Sequence, residues 1–256
     1  MNILGIDIGN TNTALGYFED RNLRYSWRFS TRIDRTSDEL GILIHSFLQS
    51  KGLTFDSIDG SIISSVVPYL TSVFSEMVNQ YCNVQSILVD SSINLGIKIL
   101  YENPREVGAD RLCNAVGSIE KYGGPAIIID FGTATTFDIV SENREYIGGV
   151  IAPGIETASL FLHKLAAKLP RVELKFPENI IGKNTEASIQ SGIMNGTVVM
   201  IDGMVNLLKK EFDSKAKVIA TGGLANLIKE RSKEINIIDP YLTLTGLIHI
   251  FYLNYN

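Results

Sequence analysis

The stretch NILGIDIGNTNTALGYFEDRN, residues 2–22, decides the fold because its pattern occurs a second time in the chain. The second copy, AIIIDFGTATTFDIVSENRE, covers residues 126–145 and has the same order: an apolar run, an Asp-x-Gly turn, Thr residues and another apolar run. At an offset of 123 residues, the matched positions are Asp7 with Asp130, Gly9 with Gly132, and Thr13 with Thr136. Recurrence at about half the chain length predicts duplication of a whole lobe.

The segments around each copy predict strands first, and then helices that alternate with further strands. Strands are predicted at 3–7, 13–18, 23–29, 126–130, 135–140 and 145–151, and the longer helices at 156–168, 186–210 and 242–253. Thr36 and Glu39 have capping-box spacing and predict the start of the first helix. This order indicates an α/β fold with mixed sheets flanked by helices. We expect two lobes, residues 1–115 and 116–256, each with one hairpin.

Composition and charge exclude several classes of function. The 256-residue chain carries a net charge of −5, so it lacks the clustered basic residues that bind nucleic-acid phosphates. We find no apolar run near the roughly 18 residues of a membrane span and no secretory pattern, and we expect a cytoplasmic protein. Cys82 and Cys113 are expected to be buried thiols, since neither they nor the three histidines have metal-ligand or catalytic-triad spacing.

The residue types of the two hairpins suit phosphate binding. Glycine in such a turn lets the backbone approach a ligand and lets successive N–H groups converge on an anion. The Asp at the strand end would repel phosphate and is suited instead to hold a cation or its bound water. An Asp-x-Gly turn is also common in ordinary surface hairpins, so the functional interpretation depends on the two matched copies. We find neither of the common phosphate-binding motifs, GxxxxGK[ST] and GxGxxG.

A second signal lies at residues 101–111, YENPREVGADR. Asp110 follows Gly108 and Ala109 at a predicted helix start, where simple helix capping is an alternative explanation. The Arg111 guanidinium suits a carboxylate or a phosphate, with a surface ion pair as its alternative.

The motifs together resemble a known family. DIGNTNT, DFGTATTFD and the late TGGLA are similar to the two phosphate motifs and the adenosine motif of the acetate and sugar kinase, Hsp70 and actin superfamily. YENPREVGADR, GGVIAPGI (148–155) and GKNTEASIQSG (182–192) more closely resemble type III pantothenate kinases. The resemblance implies a duplicated actin-like, ribonuclease H-like, two-lobe fold and a homodimer with the acceptor pocket near the subunit interface.

The resemblance also implies roles for individual residues. Asp110 is the implied general base, Asp130 the ligand of a monovalent cation (K⁺ or NH₄⁺), and Asp7 a contact of Mg²⁺ or another divalent cation, through water. The implied pantothenate contacts are Tyr101, Gly108, Ala109, Asp110, Arg111 and Thr185. The implied ATP contacts are Asp7, Ile8, Gly9, Asn10, Thr11, Asn12, Thr13, Ala14, Thr133, Gly222 and Gly223. From sequence alone, Thr185 indicates only a helix cap, and Gly222 with Gly223 a helix-start turn.

The function implied is ATP-dependent phosphorylation of pantothenate to 4'-phosphopantothenate, the first step of coenzyme A biosynthesis. Two alternatives stay open. Because the hairpins do not choose an acceptor, the enzyme could be a kinase or phosphatase acting on another small hydroxy acid. A non-enzymatic alternative is an ATP-binding regulatory protein of the Bvg accessory factor type. A pure binding protein would not need the Asp110 carboxylate.

Overall fold

In the computed structural model, which describes residues 1–166 and 168–255, the first hairpin begins a five-stranded mixed sheet. Its elements are β1 (Asn2–Ile8), β2 (Asn12–Glu19), β3 (Asn22–Ser30), α1 (Ser37–Gln49), β4 (Gly60–Ser65), α2 (Pro68–Cys82) and β5 (Ser86–Leu88). The strand order is β3-β2-β1-β4-β5, with β1 antiparallel to β2 and parallel to β4. The predicted capping box begins α1: the Glu39 N–H donates to the Thr36 hydroxyl and the Thr36 N–H donates to the Glu39 carboxylate.

The core of this part of the chain lies between the sheet and the two helices. Alternate residues of β1, Leu4, Ile6 and Ile8, pack with apolar side chains of α1 and α2 in one buried cluster. The chain continues through β6 (Lys98–Ile99) and α3 (Ala109–Tyr122). The short β6 pairs in parallel with the first residues of β9, Glu145 and Tyr146.

The second hairpin begins a six-stranded sheet in which five strands repeat the topology of the first sheet and the sixth is β6, beside β9. Its elements are β7 (Ala126–Phe131), β8 (Ala134–Val140), β9 (Glu145–Pro153), α4 (Ile155–Leu165), α5 (Thr185–Gln190), α6 (Gly196–Glu211), β10 (Lys217–Gly222), α7 (Ala225–Lys229) and β11 (Ile237–Ile238). Here β7 is antiparallel to β8 and parallel to β10, and the order β9-β8-β7-β10-β11 repeats that of the first sheet. The prediction of a duplicated α/β fold with mixed sheets is confirmed.

Two predicted helices differ from the observed ones. The helix predicted at 156–168 ends at Leu165, and Ala167, within that prediction, lies outside the described residues. The helix predicted at 186–210 is interrupted by one π-helical turn, Ser191–Asn195, between α5 and α6. Apolar periodicity does not reveal such a turn, because a π-helical turn inserts one residue without ending the helix.

The last helix, α8 (Leu242–Asn254), belongs with the first part of the chain. The first compact unit comprises Met1–Tyr122, Arg144–Tyr146 and the segment from Tyr241 onward, and the second comprises Gly123–Asn143 and Ile147–Pro240. The return of the C-terminal segment depends on close packing of α8 against α3, where Gly117 and Gly246 bring the two backbones together. The division into duplicated lobes at 1–115 and 116–256 stays a prediction.

Candidate functional site

The predicted site residues are distributed over both units. In the first unit are Asp7, Ile8, Gly9, Asn10, Thr11, Asn12, Thr13, Ala14, Tyr101, Gly108, Ala109, Asp110 and Arg111. In the second unit are Asp130, Thr133, Thr185, Gly222 and Gly223.

The first hairpin has a three-residue connection, Gly9, Asn10 and Thr11, between β1 and β2. Ile8 pairs with Thr13, and the Gly9 N–H donates to the Asn12 carbonyl at 3.1 Å, which closes the turn. A Cβ at Gly9 would lie 2.9 Å from that carbonyl oxygen, so the turn requires glycine. Asn10 and Thr11 are exposed at its tip, where their N–H groups and side chains are accessible to a ligand.

The second hairpin is one residue shorter, which corrects the alignment of the two copies. Its turn is closed by the Gly132 N–H, which donates to the Ala134 carbonyl at 3.1 Å, and Phe131 pairs with Thr135. Thr13 and Thr135 both pair with the residue that follows the Asp, and both are fully buried. The structural equivalent of Thr13 is therefore Thr135, and the predicted match with Thr136 was wrong because a fixed offset does not allow for the shorter turn.

Each hairpin Asp has a hydroxyl residue beside it on the neighbouring parallel strand. Asp7 is opposite Ser64 of β4, and the buried Ser64 hydroxyl donates to Asp7 Oδ1 at 2.9 Å. Asp130 is opposite Thr221 of β10 in the same way. Sequence reasoning missed both hydroxyl residues. The available signal was a polar residue at the carboxyl end of each apolar strand that follows a hairpin.

Asp110 lies in the first turn of α3, and its carboxylate is half-buried. Burial raises its pKa, and the hydrogen bond from the Arg111 N–H to Asp110 Oδ1, at 2.8 Å, together with the Arg111 charge, partly opposes that rise. The carboxylate therefore does accept a first-turn N–H, as the capping alternative expected. A Cβ at Gly108 would lie 2.5 Å from Asp110 Oδ1, so the preceding glycine makes room for the carboxylate.

Cys113, one turn further along α3, connects Asp110 with the first hairpin. Its thiol is fully buried near Ser64, the residue that holds Asp7. Burial raises the pKa of Cys113 well above its usual value, and the charges of Asp7 and Asp110 raise it further. Both cysteines are free and buried, as predicted. The first unit thus brings Asp7, Ser64, Cys113 and Asp110 into one electrostatically connected cluster.

Arg111 and Tyr101 are brought together by an aromatic side chain that the sequence did not indicate. Arg111 is 6% exposed, which excludes a surface ion pair, and its guanidinium carbon lies 5.9 Å from the centroid of the Tyr146 ring. The Tyr146 ring is 6.3 Å from that of Tyr101. Tyr146 is fully buried, so it is a fixed support for a guanidinium that would otherwise have many rotamers.

In the second unit, glycines line the carboxylate of Asp130. Gly222 has φ of +92°, and a Cβ there would lie 2.7 Å from Asp130 Oδ1 and 2.6 Å from the Phe131 carbonyl oxygen. Thr133 lies at the tip of the same hairpin, and its carbonyl accepts a hydrogen bond from the Thr157 hydroxyl at 2.7 Å. Gly223 is exposed directly after β10. Asp130, Thr133 and Gly222 are therefore grouped at one end of the second sheet.

Thr185 lies in a different part of the second unit. It is the first residue of α5, but the helix cap is Asn184, whose side chain accepts from the Ala187 N–H at 2.8 Å. The capping role expected for Thr185 was thus wrong by one residue. Thr185 lines a cavity of about 840 Å³ with mainly apolar walls that include Ile155, Leu162 and Ile193.

The carboxylates suit a metal ion that arrives with a nucleotide. Among the described residues, no group of three or more His, Cys, Asp or Glu side chains is placed to hold a metal ion. Mg²⁺ in kinases is typically held by one or two carboxylates, waters and the substrate phosphates rather than by a complete protein cage. One Asp beside an exposed, amide-rich turn fits that requirement in the first unit. In the second unit, Gly222 lets the backbone pass close to the Asp130 carboxylate, the hairpin carboxylate there that could contact a cation.

Comparison with solved structures shows which known fold the chain has. A conserved protein of the Baf family from Campylobacter jejuni, a proposed transcriptional activator, has a TM-score of 0.59 at 20% identity, with 98% of each chain covered. The activator of 2-hydroxyisocaproyl-CoA dehydratase from Clostridium difficile has a TM-score of 0.58 at 14% identity, covering 99% of this chain and 94% of the other. The ethanolamine utilization protein EutJ from Carboxydothermus hydrogenoformans has a TM-score of 0.57 at 13% identity, covering 99% of this chain and 90% of the other. The fold is the actin-like fold of the sugar kinase and Hsp70 superfamily.

The family follows from the sequence itself. The family model for type III pantothenate kinase matches residues 3–207. The chain belongs to the type III pantothenate kinase family, and it is an enzyme of the phosphotransferase class. The family predicted from the motifs is confirmed.

Proposed function

We propose that this protein transfers the γ-phosphoryl group of ATP to the hydroxyl of pantothenate and forms 4'-phosphopantothenate, the first step of coenzyme A biosynthesis. The observation that carries the proposal is the Asp110 carboxylate. It is half-buried at the start of α3, its pKa is raised, and it belongs to the same cluster as the hairpin carboxylate Asp7. The family match supports the same role for this carboxylate.

Asp110 acts in this proposal as general base. A carboxylate within hydrogen-bond reach of the acceptor hydroxyl orients it and accepts its proton as the hydroxyl oxygen bonds to phosphorus and ADP leaves. A raised pKa makes the ionised carboxylate a stronger proton acceptor. Arg111, held against Tyr146, pairs with the pantothenate carboxylate, and Tyr101, Gly108, Ala109 and Thr185 complete the acceptor contacts.

The hairpins hold the nucleotide. The first turn, from Asp7 to Ala14, binds phosphates through its N–H groups, and Asp7 holds water of the Mg²⁺ that accompanies ATP. In the second hairpin Thr133 contacts ATP, Asp130 holds K⁺ or NH₄⁺, and Gly222 and Gly223 leave room for the adenine. The cations supply positive charge near the phosphates, which a chain of net charge −5 otherwise lacks.

We further propose a homodimer that covers an apolar surface of the second unit. Large apolar side chains are exposed on α4, before α5 and on α6: Leu165 at 79%, Ile181 at 81% and Val199 at 72%. In the part of the chain that the structure describes, Thr185–Glu211 is the one helical stretch with the length and composition for a membrane crossing, and 28% of its apolar window is buried. A second copy is the partner that would remove such a surface from water. We place the enzyme in the cytoplasm, where ATP is available and free thiols such as Cys82 and Cys113 persist.

The test is a coupled ADP-release assay with purified protein, in which pantothenate is compared with other small hydroxy acids with and without K⁺. ADP release that requires pantothenate is expected, and release with another hydroxy acid but not with pantothenate would refute the proposed acceptor. Asp110→Asn should keep ATP affinity and lower kcat by about 100-fold or more. The matched control is Asp56→Asn, the same change at an exposed position of the first unit, which should retain wild-type kcat. Full turnover by Asp110→Asn would remove Asp110 from the mechanism.

The dimer is tested separately by light scattering after size-exclusion chromatography. Wild-type protein is expected at twice the mass of one 28.2 kDa chain, and Val199→Glu should reduce that mass, because a charge would be buried at the interface. A monomeric wild type with full activity would refute the dimer without affecting the proposed reaction.

A further inference from the structure

We propose that Thr31 is a positioning residue for the first hairpin: it sets the direction in which that turn presents its N–H groups to the nucleotide. The inference rests on the proposed function, because a phosphate-bearing ligand is what the turn would hold. Thr31 lies outside the Asp-x-Gly motif, directly after β3, and is separated from Gly9 by 22 positions in sequence.

Thr31 contacts the turn at three points. Its N–H donates to the Thr11 carbonyl at 2.9 Å, its hydroxyl donates to the Gly9 carbonyl at 2.8 Å, and the hydroxyls of Thr31 and Thr13 are 2.9 Å apart. The paired register of β2 and β3 ends at Asn12 and Ser30. Thr31 therefore extends the contact beyond the paired residues of β2 and β3. It reaches the turn residues, which lie outside the paired strands.

The direction of each hydrogen bond follows from the number of protons. A hydroxyl has one proton, and a carbonyl oxygen can only accept. Since the Thr31 hydroxyl donates to Gly9, the Thr13 hydroxyl must be the donor in the contact between the two threonines. The result is a chain of hydrogen bonds from buried Thr13 through Thr31 to the Gly9 carbonyl.

Holding the Gly9 carbonyl also orients the next N–H. In a planar trans peptide the C=O of one residue and the N–H of the following residue point in opposite directions. Fixing the Gly9 carbonyl toward Thr31 thus directs the Asn10 N–H away from β3, at an exposed tip position. Without the hydroxyl this peptide plane could rotate, since Gly9 has broad conformational freedom. An N–H group that already points outward in the free protein can bind an anion without the entropy cost of ordering the turn during binding.

The experiment compares variants of Thr31 in the full-length protein. Thr31→Val has nearly the same shape without the hydroxyl, Thr31→Ser keeps the hydroxyl, and Thr31→Cys keeps the size of Ser with a much weaker donor. Thr245→Val is the matched control, because it removes a hydroxyl that donates to a backbone carbonyl, that of Tyr241 at 3.1 Å, on α8. Calorimetry measures the affinity for a non-hydrolysable ATP analogue with Mg²⁺, and ¹⁵N relaxation measures the order parameter of the Asn10 N–H in nucleotide-free protein.

We expect Thr31→Val to weaken nucleotide binding by about tenfold, as for loss of one hydrogen bond that orders a binding group, and to lower the Asn10 order parameter. Thr31→Ser should bind within about twofold of wild type, Thr31→Cys should be intermediate, and Thr245→Val should match wild type. Should Thr31→Val fold poorly, the difference in nucleotide affinity between Thr31→Ser and Thr31→Cys decides whether the hydroxyl positions the turn. Wild-type affinity in both Thr31→Val and Thr31→Cys would overturn this inference alone. A wild-type protein that binds no adenine nucleotide would refute the proposed function as well.

Discussion

The close packing of α8 on α3 gives the sharpest prediction, because α3 carries Asp110. A Cβ at Gly246 would lie 1.9 Å from the carbonyl oxygen of Cys113, 2.6 Å from its carbonyl carbon and 2.9 Å from its Cα. Real Cβ atoms essentially never come within 3.0 Å of another heavy atom, so Gly246→Ala requires one helix backbone to move by about 1 Å. Gly117 faces α8 in the same way, and a Cβ there would lie 2.4 Å from the Leu242 carbonyl oxygen.

The change in stability caused by Gly246→Ala follows from two opposing effects. Overpacking of a rigid interior costs about 1–3 kcal/mol, and backbone rather than a flexible side chain surrounds this position, so the upper value applies. Alanine is favoured over glycine inside a helix by about 1 kcal/mol. Gly246→Ala should therefore destabilise the protein by about 2 kcal/mol, which corresponds to a fall in Tm of about 4–8 °C for a chain of this size.

Thermal unfolding followed by circular dichroism measures the effect, and Gly203→Ala is the matched control. Gly203 lies inside α6, and a Cβ added there would have no other group within 4 Å, so this variant should raise Tm instead. Because Cys113 is one turn from Asp110, a 1 Å displacement should also lower kcat by about 100-fold. A Tm for Gly246→Ala at or above that of wild type would show that α3 and α8 are not in backbone contact.

Four further predictions concern the carboxylates. Activity should rise with pH through a midpoint above the ordinary aspartate pKa of about 3.9, because burial raises the pKa of Asp110 and only the ionised form accepts a proton. For the same reason the stability that this carboxyl contributes is present at low pH and lost as pH rises through its raised pKa, so Asp110→Asn should raise Tm at pH 8 and lose that advantage in acid. Ser64→Ala removes the 2.9 Å donor to Asp7 and should weaken Mn²⁺ binding in the nucleotide complex by about tenfold in an electron paramagnetic resonance titration; unchanged Mn²⁺ affinity would mean that Ser64 does not position Asp7. Asp130→Ala should abolish activation by K⁺ or NH₄⁺, and a variant that K⁺ still activates would place the cation elsewhere.

The sequence predicted the sheets well because their signals are local and repeated. Apolar runs, turn formers and the capping box of Thr36 and Glu39 each act within a few residues. The second copy of the hairpin supported the strand, turn and strand predicted for the first copy. The return of α8 to the first unit was not predictable in this way. It depends on glycines at 117 and 246, which allow two helices distant in sequence to touch, and each glycine alone looks like an ordinary helix position.

The same distinction applies to the site. The hairpins and Asp110 are contiguous motifs and were found by inspection of the sequence. Ser64, Thr31 and Tyr146 were missed because each acts on a residue more than 20 positions away in sequence: Asp7, Gly9 and Arg111, respectively. The shift between Thr135 and Thr136 was missed for a simpler reason, since the number of residues in a turn is set by its closing hydrogen bond and not by the spacing of its motif.

In both hairpins a threonine hydroxyl from outside the Asp-x-Gly motif donates to a carbonyl of the turn. The motif sequences themselves do not indicate this shared contact. In the first, the Gly9 carbonyl accepts from the Thr31 hydroxyl, and in the second the Thr133 carbonyl accepts from the Thr157 hydroxyl. Each donor follows the third strand of its own sheet, Thr31 directly after β3 and Thr157 four residues after the end of β9. The carbonyl that is held belongs to the first turn residue in the first hairpin and to the second turn residue in the second. A threonine hydroxyl thus fixes one carbonyl of each turn, from directly after β3 in the first unit and from the first turn of α4 in the second, so each peptide plane that it holds cannot rotate freely.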